Sequence, residues 1–123
     1  MSNRVLIVED DHATETLLAA VMLHESIECE NVRDGRAAVT RLEQEEFAAV
    51  LVDLLLPRMN GFEVLRHLKT TNPSLLGRII VVTAANESTF RGCQELSLVR
   101  CVLRKPLDAL DAKLLVRMHD HLR

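Results

Sequence analysis

Three short stretches of the chain are hydrophobic at every position: Val5-Leu6-Ile7-Val8, Ala48-Ala49-Val50-Leu51-Val52 and Ile79-Ile80-Val81-Val82. Each is too short for a helix and rich in β-branched residues. Continuous rather than alternating hydrophobicity is what a strand needs when helices cover both faces of a parallel sheet. Ile27 to Val32 and Val99 to Leu103 read as weaker strands. Between these runs the apolar spacing changes to three and four. It predicts helices over His12 to His24, with Leu17, Leu18 and Val21 on the apolar face, and over Asp34 to Glu45, with Ala38, Val39 and Leu42. Phe62, Leu65 and Leu68 repeat the pattern over Phe62 to Lys69, and Leu107, Leu110, Leu114, Met118 and Leu122 mark the clearest face, on a last helix over Leu107 to Leu122. A helix over Ser88 to Leu96 has the weakest propensity, because Gly92 and several Ser/Thr residues fall inside it.

Five alternations of strand and helix imply an α/β fold, because right-handed crossovers build such a chain into a parallel sheet with helices on both faces. In open sheets of this kind the ligand site lies beyond the carboxyl ends of the strands, where the strand order reverses. At 123 residues the chain fits one domain, residues 1–123, and no repeat or linker interrupts it.

The residues at those strand ends carry the chemistry. The first strand closes in Glu9-Asp10-Asp11, the third in Asp53 and the fourth in Thr83, and the fifth leads to Lys105-Pro106. If the first and third strands are neighbours, Glu9, Asp10 and Asp53 face one another, and like charges that close repel by roughly 4 kcal/mol per pair at an effective dielectric of 20. Such a cluster needs a cation, and oxygen-only ligation favours Mg²⁺ over Zn²⁺. A carboxylate beside a divalent metal, with an ammonium and a hydroxyl opposite, suits phosphoryl transfer. Asp53 would attack phosphorus, while Mg²⁺, Lys105 and Thr83 would stabilise the equatorial oxygens.

Composition removes several other classes. A formal charge of −3 argues against a nucleic-acid binder, and with no Trp or Tyr and three Phe the chain lacks stacking platforms for single-stranded bases. No apolar run approaches the ~18 residues of a membrane span, and Met1-Ser2-Asn3-Arg4 leads into the first strand without a signal-peptide pattern, so a cytoplasmic location is expected. Cys29, Cys93 and Cys101 lack paired metal or redox spacing and read as reduced and structural. There is no Gly-rich phosphate loop and no GxGxxG turn.

In this arrangement the chain resembles the response-regulator receivers of two-component signalling. Val8-Glu9-Asp10-Asp11 is similar to the family's acidic pair, and Val52-Asp53-Leu54-Leu55-Leu56-Pro57-Arg58-Met59-Asn60-Gly61 resembles its phosphoacceptor strand end and loop. Val81-Val82-Thr83-Ala84 resembles the hydroxyl site, and Lys105-Pro106 the Lys-Pro pair, whose peptide bond is usually cis in the family. The resemblance spans the whole chain and implies a flavodoxin-like strand order 2-1-3-4-5. It makes Asp53 the phosphorylated residue, with Asp10 and Asp53 as direct Mg²⁺ ligands, Glu9 acting mainly through water, and the backbone carbonyl of Leu55 as the third protein ligand. It implies a switch that assists its own phosphotransfer rather than a turnover enzyme. The donor would be a histidine kinase or histidine phosphotransfer protein and the readout a downstream effector, with dimerisation through the last helices a further expectation.

The sequence departs from the family at Val102, where most receivers carry Tyr or Phe, and at Leu98-Val99-Arg100-Cys101, which replaces the usual Gly-Ala and acidic residues. Activation is therefore expected to shift the backbone near Ala84 to Glu87 without an aromatic rotation. Apolar Leu55 and Ala85 cannot orient an attacking water, which implies a long-lived phospho-form. A haloacid-dehalogenase-type phosphatase would need an acid at position 55, and the remaining rival is a receiver-like interaction module independent of phosphorylation. Asp11, with His12, reads as capping or preceding the first helix and is given no metal role, and His24, His67 and His119-Asp120-His121 read as surface residues.

Overall fold

The computed structural model describes residues 3–122, the side chains of residues 109, 110 and 118–122 excepted. Five strands, β1 (Val5–Val8), β2 (Cys29–Val32), β3 (Ala49–Val52), β4 (Ile79–Thr83) and β5 (Cys101–Arg104), form one parallel sheet in the order β2-β1-β3-β4-β5. The chain crosses between them through α1 (His12–His24), α2 (Gly35–Gln44), α3 (Gly61–Thr71) and α4 (Glu87–Phe90), and α5 (Ala109–Leu122) follows β5. Every residue of β1, β3 and β4 is buried. Alternation divides their side chains between two cores. Leu6, Val8, Val50, Val52, Ile79 and Val81 pack with Ala38, Val64, Leu65 and Leu68 from α2 and α3. Val5, Ile7, Leu51, Ile80 and Val82 pack with Leu18, Met22 and Leu115 from α1 and α5.

Local signals set the helix starts. The Asp11 side chain accepts from Thr14 N–H at 3.0 Å and Asp34 from Ala37 N–H at 2.8 Å, while Asn60 and Glu63 form a reciprocal capping box. Asn86 caps α4 in the same way, but α4 ends after a single turn. Arg91 is extended and Gly92 has φ +87°, and the chain resumes only as a 3₁₀ turn over Gln94–Ser97. The helix expected over Ser88 to Leu96 is thus two short pieces broken at Gly92, whose left-handed backbone interrupts the hydrogen-bond ladder.

Two apolar faces differ from those read off the spacing. On α1 the buried pair is Leu18 and Met22, and Leu17 is 43% exposed. Positions 17 to 23 are apolar throughout, so spacing cannot select a face there; only the angle at which the helix meets the sheet does. On α5 Leu115 is buried at 1% while Leu114 is 41% exposed. Leu110, Met118 and Leu122, placed on that face by the sequence, lie outside the described side chains, as do His119, Asp120 and His121. Leu115→Ala is expected to cost about 3 kcal/mol in urea unfolding and Leu114→Ala less than about 0.5; equal costs would show that α5 is rotated from this orientation.

At the amino edge of the sheet the Phe47 ring is buried between the guanidinium groups of Arg4 and Arg41, 5.9 and 5.8 Å from its centroid. Both arginines also pair with Glu30 and Glu45. His24 is exposed, whereas His67 is half-buried, with its Nε2 3.7 Å from Glu43. The three cysteines are half-buried thiols outside any disulfide, and burial holds each above the ordinary thiol pKa. Among the described residues no helix is long and apolar enough to cross a membrane.

Candidate functional site

The parallel register brings four of the sequence-selected residues to one edge. Val8 lies opposite both Val32 and Val52, and the ladder continues one step further, with Glu9 N–H donating to Val32 and Asp53 N–H to Val8, each at 3.0 Å. Thr83 pairs with Arg104, and Lys105 N–H donates to the Thr83 carbonyl at 3.0 Å. Glu9, Asp53, Thr83 and Lys105 are therefore fixed by backbone hydrogen bonds at the carboxyl ends of β1, β3, β4 and β5. The order of strands reverses between β1 and β3, where the acids stand.

The acids are almost removed from water, with Glu9 at 1% and Asp53 at 6% exposure. Lys105 Nζ, 52 and 96 residues away in sequence, donates to Asp53 Oδ2 at 2.9 Å and to Glu9 Oε1 at 2.8 Å. The peptide bond between Lys105 and Pro106 is cis. Asp53 Oδ1 accepts from Leu55 N–H at 3.0 Å, and Glu9 Oε1 also accepts from Asp11 N–H at 3.0 Å. Burial pushes the Glu9 carboxyl above its ordinary pKa; hydrogen bonds from Lys105 and Asp11 pull it back, the charge of Asp53 adds to the rise, and the net direction is upward. For Lys105 burial acts downward, but hydrogen bonds to Glu9 and Asp53 outweigh it and the ammonium is held above its ordinary value. Thr83 is fully buried, and its hydroxyl oxygen accepts from Ala85 N–H at 3.1 Å.

Asp10 behaves differently from its neighbour. Its side chain is exposed, on the rim of an open groove that also includes Leu55, Pro57, Asn60 and Thr89. Among the described residues no three His, Cys, Asp or Glu side chains are grouped as metal ligands. The three-carboxylate cluster expected from the sequence is thus two buried acids bridged by an ammonium, with the third hydrated at the edge. Leu55 is 52% exposed, and Ala85, the other apolar position near the site, is buried. Gly61 meets the site through its backbone: its N–H donates to the Leu54 carbonyl at 2.9 Å.

The sequence profile of the response regulator receiver domain matches residues 5–116. The chain belongs to that family. The receivers of two-component response regulators are signalling switches, and the transcriptional regulatory protein SrrA of Staphylococcus aureus (strain NCTC 8325 / PS 47) is 34% identical over 91 residues, 74% of this chain. The match covers 36% of SrrA, so the chain corresponds to about a third of that relative. Among solved structures, the receiver domain of the sensor histidine kinase PA1611 from Pseudomonas aeruginosa PAO1, which has a magnesium ion coordinated in its active-site cleft, superposes with a TM-score of 0.81. It is 25% identical, over 99% of this chain and 98% of that one. The BeF3-activated N-terminal receiver domain of Klebsiella pneumoniae RstA gives a TM-score of 0.78 at 26% identity, over 98% and 99% of the two chains.

Arg104 was not among the residues selected from the sequence. The only signal for it was adjacency to Lys105 on an edge strand, because its partners lie in a different loop and helix.

Proposed function

We propose that residues 1–123 act as one receiver in which Asp53 accepts a phosphoryl group from a phosphohistidine on a histidine kinase or histidine phosphotransfer protein. The supporting observation is the single ammonium of Lys105 bound at 2.8 and 2.9 Å to two buried acids on different strands. A carboxylate oxygen of Asp53 forms the new P–O bond as the P–N bond of the donor breaks, and the imidazole leaves with a proton. Lys105 follows the negative charge from the carboxylate onto the phosphoryl oxygens, and the Thr83 hydroxyl donates to one of them. Both are carried on the sheet edge that holds Asp53, so neither has to be recruited from a distant element.

The donor set fits Mg²⁺. Asp53, the exposed carboxylate of Asp10 and the Leu55 carbonyl offer oxygen only, with Glu9 in reach through water, and Mg²⁺ keeps several waters and needs one or two carboxylates rather than a closed protein cage. Its chemical contribution when bound is to neutralise charge on the phosphoryl oxygens. The modified receiver then changes its affinity for a cytoplasmic effector domain or protein, as expected of a switch without turnover.

The test is incorporation of label from radioactive acetyl phosphate. Wild type is expected to take up label with Mg²⁺ and not with EDTA, and Asp53→Asn to show none above background. Equal labelling of the two proteins would place the acceptor elsewhere.

A further inference from the structure

The peptide of Ala85 is held from two directions. Its N–H donates to the Thr83 hydroxyl oxygen, and its carbonyl accepts from Arg104 Nη1, each at 3.1 Å. The same guanidinium lies over the Phe90 ring of α4, with its Cζ 5.5 Å from the centroid. Phe90 is half-buried against the core beneath α4, together with Leu96, Val99 and Val102. Val102 and Arg104 stand two apart on β5 and so share this face of the sheet. Arg104 is thus at once the residue before Lys105, the strand partner of Thr83, and a bridge from the loop after Thr83 to α4.

We propose that Arg104 restrains phosphoryl acceptance by latching the Thr83–Ala85 loop to Phe90 in the carboxylate form of the site. The inference rests on the assignment of Asp53 as acceptor. In the carboxylate form Asp53 Oδ2 itself takes Lys105, and the Thr83 oxygen is occupied by Ala85 N–H. A phosphoryl oxygen that claims the Thr83 hydroxyl draws the loop towards Asp53. The Ala85 carbonyl then leaves Arg104, and the guanidinium loses the anchor that keeps it over Phe90. The single turn of α4, capped only by Asn86 and ending at Arg91, is released by that step. Val102 supplies no ring to report the change, so the arginine two residues further along carries it instead.

Direction follows from linkage. A contact made in one state and broken in the other disfavours the second state, and its removal raises affinity for whatever binds that second state by the same factor. The probe is beryllofluoride in fixed excess Mg²⁺, titrated into wild type, Arg104→Met, Arg104→Lys, Phe90→Leu and Asp53→Asn. The amide NMR resonances of residues 84–90 report binding; the chain has no Trp or Tyr for an intrinsic fluorescence signal. Arg104→Met and Phe90→Leu, which break the latch from opposite ends, are expected to bind the mimic about fivefold more tightly than wild type. Their amides over residues 85–90 should also exchange faster without it. Arg104→Lys keeps a cation and a donor and is expected within about twofold of wild type. Unchanged or weaker binding in both Arg104→Met and Phe90→Leu overturns the latch alone. A wild type that responds no more than Asp53→Asn overturns the acceptor assignment, and the latch with it.

Discussion

Gly61→Ala is expected to destabilise the protein by about 3 kcal/mol and to abolish labelling at Asp53 in the same step. A Cβ built on Gly61 falls 2.4 Å from the Asp53 carbonyl oxygen, 2.6 Å from Leu54 Cα and 3.1 Å from the Asp53 carbonyl carbon. All three are main-chain atoms of the segment that carries the acceptor, so no side chain can turn aside to relieve the clash. Either the loop moves and takes Asp53 off Lys105, or α3 moves and pulls Val64, Leu65 and Leu68 out of the core. Both routes are costly, because the acids and the core are each fixed on other sides. Gly77→Ala is the matched control, since nothing lies within 4 Å of its Cβ, and it should change stability by less than about 0.5 kcal/mol. Urea midpoints and acetyl phosphate labelling read the two effects. A Gly61→Ala protein with wild-type midpoint and labelling would show that the loop has slack the backbone contacts deny.

Lys105→Met should weaken the fold by about 3 kcal/mol at neutral pH, because it leaves two buried carboxylates facing each other without their shared cation. Labelling is expected to fall about a hundredfold with the loss of the charge that follows the phosphoryl oxygens. The stability deficit should depend on pH, and the sign is fixed by Glu9. Its folded pKa already lies above the ordinary carboxylate value through burial, and removing Lys105 takes away the largest influence that lowers it. A carboxyl raised on folding contributes stability that is fully present below its unfolded pKa and is lost as pH rises through the folded one. The variant should therefore recover part of its deficit as pH falls from 7.5 towards the unfolded carboxylate value of 4.5. Lys105 itself is raised on folding, so its own contribution in wild type is present below 10.5 and lost at more alkaline pH. Urea unfolding of both proteins in chelator, at pH 7.5 and 5.5, separates these. A deficit identical at the two values would mean that Glu9 does not carry the unpaired charge.

The site was legible to the extent that it is built from strand ends. Glu9, Asp53 and Thr83 each follow an apolar, β-branched run directly and Lys105 follows the weaker fifth strand, and a parallel sheet brings such positions together whatever the loops do. Asp11 as a helix cap was equally local, its partner Thr14 being three residues on. The sharing of one ammonium by Glu9 and Asp53, with Asp10 left at the rim, was not legible. Adjacent residues on an extended chain face opposite ways, and which carboxylate is buried depends on what covers each side. Arg104 escaped for a related reason, since Ala85 and Phe90 are brought to it by the path of the β4–α4 connection rather than by any spacing within β5.

By itself the sequence determined the strands, the approximate helices and the edge on which chemistry gathers, because hydrophobic period and strand termination are properties of neighbouring residues. Tertiary structure decided how each helix is rotated, and hence that Leu18, Met22 and Leu115 are buried while Leu17 and Leu114 face outward. It also decided that α4 stops after one turn and that one arginine ties the hydroxyl loop to it. Those outcomes depend on contacts between segments far apart in the chain, where small differences in packing outweigh local preference.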